Sequence, residues 1–90
     1  MGALLIILQI IGALPGVIAA FKKLWDYIKE IKDTKLRNKL KNEHRALVFK
    51  AMKQAYKNPT KKMSADQNES ILNEVDALDR KVQIVLLNQK

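Results

Sequence analysis

Twenty-one residues without a single charged side chain lead this sequence, and Lys22 and Lys23 close them off. Few features constrain a small chain more. As one helix the stretch would be about 31 Å long, close to the roughly 30 Å hydrocarbon core of a bilayer. The two lysines could extend their ammonium groups to the headgroups, and Trp25 and Tyr27 fall where an interfacial aromatic belt belongs. The run therefore predicts a transmembrane helix over residues 1–21, with Lys22, Lys23, Trp25 and Tyr27 at the membrane interface. A cleavable signal peptide would carry a positive n-region, and none precedes the apolar stretch. A buried core helix is the other reading, but it needs a partner surface that the polar remainder can scarcely supply.

Gly12, Gly16 and Ala20 recur every four residues along the run. That small-residue ridge would allow close approach of a second helix. Pro15 removes a backbone donor and predicts a kink near Ile11–Pro15.

Beyond the run, charge divides the chain. Residues 22–62 hold fourteen Lys/Arg against four acids, and residues 63–90 hold three against five. By the positive-inside rule, this places the C-terminal part in the cytoplasm, or describes the internal membrane of a virion. Lys35, Lys39, Lys50 and Lys53 are the expected contacts to anionic headgroups, each contributing on the order of 1 kcal/mol near such a surface. Nucleic acid is a second possible ligand for so basic a stretch, because counterion release rewards any basic patch.

The same region reads as helical. Residues 22–34 form a basic juxtamembrane helix and junction, with Asp33-Thr34 as an N-cap or break. Apolar residues at helical spacing predict helices over 35–57 and 65–87. Asn58-Pro59 ends the first, and Ser64 with Gln67 begins the second at capping-box spacing. Within residues 35–90 the two pair as an antiparallel hairpin with Leu40, Leu47, Val75, Leu78 and Val82 in its seam. The rival arrangement puts Ile71–Val85 into an intermolecular coiled coil. The predicted fold is thus all-α: a single N-terminal transmembrane helix, an amphipathic basic helix and a C-terminal helix.

No catalytic, cofactor or metal site emerges. His44, the one histidine, reads as an exposed helix residue, and there is no cysteine or glycine-rich phosphate loop. Asn68-Glu69-Ser70 matches a glycosylation acceptor that a cytoplasmic location would leave unused. Seventy residues without disulfides ordinarily gain stability by association, so a homo-oligomer or neighbouring structural proteins are expected partners alongside the lipid bilayer. In overall plan the chain resembles small membrane proteins of phages and viruses that carry a lipid membrane. That resemblance implies a membrane-anchored structural scaffold of the virion. The short span, kink and basic tail also resemble single-span holins, which implies membrane permeabilisation. An accessory subunit of a larger membrane complex is the third reading.

Overall fold

The computed structural model describes residues 2–89, and all of its regular structure is helical. Four helices follow one another: α1 (Gly2–Ile10), α2 (Pro15–Lys29), α3 (Thr34–Lys57) and α4 (Ala65–Asn88). Met1 and Lys90, the outer ends of the expected span and hairpin region, lie outside the described residues.

The apolar run is two helices rather than one. Gly12 takes the left-handed conformation at φ 77°. The Ala13 amide donates to the carbonyl of Leu8 (2.9 Å) and that of Gly12 to Gln9 (3.2 Å). This is the bond pair of a glycine-terminated helix end. Leu14, held extended before proline (φ −69°, ψ 152°), caps α2, and Pro15 occupies its first turn. The expected kink is therefore a full stop and restart. No described helix is long and apolar enough to cross a membrane. At nine residues, α1 spans only about 14 Å. In α2 the apolar residues share the helix with Lys22, Lys23, Asp26 and Lys29.

What the run packs against is protein. Val17, Phe21, Leu24 and Ile28 of α2 are buried with Leu40, Val48 and Ala51 of α3 and Ile71, Val75 and Val82 of α4. Directions follow from pairs fixed at either end. Leu14 bonds Asn68 while Lys32 and Glu30 bond Gln89, so α2 and α4 run parallel. Glu43 meets Lys81 and Lys50 meets Glu74, so α3 runs antiparallel to α4. The short α1 lies across α2 and α3 and contributes Leu8, which is fully buried.

Local caps explain the boundaries. The Asp33 carboxylate accepts from the Leu36 amide (3.0 Å) at the start of α3. Ser64 and Gln67 form both bonds of a capping box at the start of α4 (3.1 and 2.9 Å).

The two glycines of the expected ridge now have opposite roles. A Cβ on Gly12 would lie 3.2 Å from Cβ of Lys62 in a backbone conformation that L-residues disfavour by about 1–2 kcal/mol. Gly16 is helical and has open space around it. Gly12→Ala is expected to lower stability by about 1–2 kcal/mol, whereas Gly16→Ala should be neutral or raise it by up to about 1 kcal/mol. Thermal melts of the two variants check this, and a like sign for both would contradict the turn geometry.

Candidate membrane-facing tip

Five segments converge at one end of a molecule 46 Å long: the end of α1, the 11–14 turn, the start of α2, the end of α3 and the 58–64 connection. Hydrogen bonds hold them together. The Met63 amide donates to the carbonyl of Ile11 (2.8 Å), and Lys62 Nζ donates to the carbonyl of Ile10. Lys61 Nζ donates to the carbonyl of Tyr56 (3.0 Å). Asn58 Nδ2 reaches both the carbonyl of Lys62 and Oε1 of Gln67 (2.6 Å each).

Asn68 locks the turn from beneath. Its side chain is buried, Oδ1 accepts from the Leu14 amide (2.9 Å), and Nδ2 faces the carbonyls of Ser64 (3.1 Å) and Gly12 (3.4 Å). An amide so committed cannot serve as the glycosylation acceptor that its sequence context matches.

The surface this frame presents is apolar and basic. Ile10, Leu14 and Tyr56 are 62%, 53% and 63% exposed. Pro15, Gly16 and Pro59 are exposed beside them in the chain, as are Lys57, Lys61 and Lys62. Ile6, one turn before Ile10 on α1, extends the apolar edge along the flank and is also exposed.

The sequence-predicted site residues are distributed differently. Gly12 lies in a turn, Gly16 on the surface of α2, and Ala20 half-buried further along that helix, so they form no common packing ridge. Lys22 and Lys23 are exposed on α2. Trp25 is half-buried: its ring lies 5.2 Å from that of His44, with the Lys41 ammonium 5.4 Å from its centroid. Tyr27 is half-buried on α2. Lys35, Lys39 and Lys53 are exposed but spread along α3, and Lys50 is paired with Glu74. In the expected seam, Leu40, Val75, Leu78 and Val82 are buried and Leu47 is partly so. Because α2 shares that core, burying Ile71, Val75 and Val82 needs no second chain.

His44 is fully buried, contrary to the exposed position read from its polarity. Its Nε2 donates to the carbonyl of Phe21 (2.9 Å), which requires a proton on Nε2, and Nδ1 has no partner among the described residues. Burial holds its pKa below the ordinary histidine value, against the raising effect of the Phe21 carbonyl and with the charge of Arg45 adding to the depression. The signal was available, since His44 stands four residues from both Leu40 and Val48 on one helical stripe.

Among the described residues, no group of three or more His, Cys, Asp or Glu side chains could hold a metal. Compared with protein families, curated proteins and solved structures, the chain matches none.

Proposed function

We propose that this protein is a small structural scaffold that attaches to the surface of an anionic bilayer through its apolar, lysine-edged tip. The observation carrying this reading is the meeting of Ile10, Leu14 and Tyr56 with Lys57, Lys61 and Lys62 at one end of the fold. Each aliphatic side chain transferred fully from water contributes about 1.5–3 kcal/mol, and each lysine at an anionic surface about 1 kcal/mol. Tyrosine suits the same depth, since its ring is apolar and its hydroxyl wet. Attachment of this kind needs no 30 Å helix, because only side chains enter the interface. The span expected from composition thereby becomes a surface anchor, with Lys57, Lys61 and Lys62 at the headgroups in place of the expected Lys35, Lys39, Lys50 and Lys53.

Vesicle flotation tests the reading. The full chain should float with vesicles of mixed zwitterionic and anionic lipid, and release as salt rises. Replacing Ile10 and Leu14 by Asp should weaken binding at least tenfold, as loss of one such contact already implies. Lys57→Gln with Lys61→Gln should weaken it on anionic vesicles alone. No flotation, or flotation indifferent to all four changes, would overturn the proposal. Release of trapped dye by bound protein would turn it from attachment to permeabilisation.

A further inference from the structure

A groove of about 700 Å³ runs between α3 and α4, floored by Ala46, Leu47, Ala77 and Leu78, with Ile84 at its rim. Its walls carry a pattern that occurs twice in the chain. Glu-x-x-Ala-Leu-x-x-Lys stands at 43–50 on α3 and again at 74–81 on α4. Because the helices are antiparallel, Glu43 pairs with Lys81 (3.0 Å) and Lys50 with Glu74 (2.7 Å). The two pairs lie seven residues apart on each helix, about 10.5 Å. One end has its acid on α3, the other has its acid on α4. A half-turn about the centre of the groove exchanges Glu43 with Glu74, Ala46 with Ala77 and Lys50 with Lys81.

Each carboxylate is only half used. Oε1 of Glu43 and of Glu74 takes the lysine, while Oε2 of each is buried and has no hydrogen-bond partner among the described residues. Ile84 at the rim is 60% exposed. The groove thus combines small residues that admit a close helix, an apolar floor and walls of alternating charge.

We infer that this face is a self-association surface on which a second copy of the chain docks, placing α3 and α4 of each copy in one four-helix interface. The charge pattern selects that occupant because it is complementary to itself. With a two-fold axis along the helices, Lys50 of one copy lies opposite Glu74 of the other, and Glu43 opposite Lys81. Each crossed pair then sets an opposite charge beside the salt bridge already made within each chain. Area permits the contact as well: the molecule measures 46 × 21 × 18 Å, and a long side can provide the roughly 800 Å² per partner of a standard interface.

Sedimentation of the full chain in lipid-free buffer tests the inference separately from bilayer attachment. A dimer is expected, and it should persist in the Ile10→Asp, Leu14→Asp variant. Ile84→Glu, at an exposed position, should weaken it at least tenfold with little change in the thermal melt. The doubly substituted variants Glu43→Lys, Glu74→Lys and Lys50→Glu, Lys81→Glu should each be monomeric and helical, and should associate when mixed. A wild-type chain that stays monomeric up to millimolar concentration would overturn the proposal. So would a dimer indifferent to Ile84→Glu, or helical charge variants that ignore one another.

Discussion

Phe21→Ala is expected to cost about 3–5 kcal/mol, the range for truncating a buried aromatic. Phe21 is fully buried and is the largest of the fully buried side chains. Its ring meets that of His44 edge-on, with centroids 5.3 Å apart and planes at 87°. Such pairs add about 0.5–1.5 kcal/mol beyond area burial. Its carbonyl is also the acceptor for His44 Nε2, so a shift of the backbone on truncation would strand a buried imidazole. Domains have only about 5–15 kcal/mol in total, so the variant should be largely unfolded on modest warming. Denaturant titration followed by circular dichroism measures the loss. A value below about 1 kcal/mol would mean that Phe21 does not serve a protein core, and would return the apolar run to lipid.

Asn68→Ala is expected to cost about 1–3 kcal/mol, out of proportion to its size. Among the described residues its carboxamide is the sole side-chain partner of the Leu14 amide, and it also faces the carbonyls of Gly12 in the same turn and of Ser64 at the start of α4. Removing it leaves buried polar groups unmet, which costs more than the net worth of the bonds made. Asn68→Asp keeps the acceptor for Leu14 but turns a carboxylate oxygen onto two carbonyls at a buried position, so it should cost at least as much as Ala. Amide hydrogen exchange at Leu14 separates the contributions: fast in Ala, protected in Asp. Equal exchange in the two would remove the Leu14 bond from the account. Both variants also probe the tip, since Ile10 and Leu14 keep their positions only while this turn holds.

Residue type and spacing were sufficient to determine α3 and α4. The 3.6-residue period, Asn58-Pro59 and the Ser64/Gln67 box mark α3 and α4 to within a residue, because caps and periodicity are local properties of the backbone. The stop after Ile10 was legible only as a kink. Gly12 followed by Pro15 is a helix terminator and restart, but inside an apolar run it reads as a kink, since lipid-exposed backbone would leave its amides unmet. Asn68, fifty-four residues beyond Leu14, meets one of those amides, and no local pattern announces so distant a partner.

Other decisions belonged to the tertiary structure for a similar reason. Hydrocarbon and a protein interior both exclude water, so Val17, Phe21, Leu24 and Ile28 satisfy either with one stripe. Choosing between them took α3 and α4, whose own stripes left room for a third helix. His44 was read outward from its polarity and lies inward, because one backbone carbonyl satisfies its ring. The doubled Glu-x-x-Ala-Leu-x-x-Lys pattern stands in the sequence, but its symmetry exists only once two helices are antiparallel in a register that faces each acid with a base. Periodicity determined which residues share a helix face; which face meets which is a property of the packed chain, because contacts between distant segments depend on shapes and partners that no single segment contains.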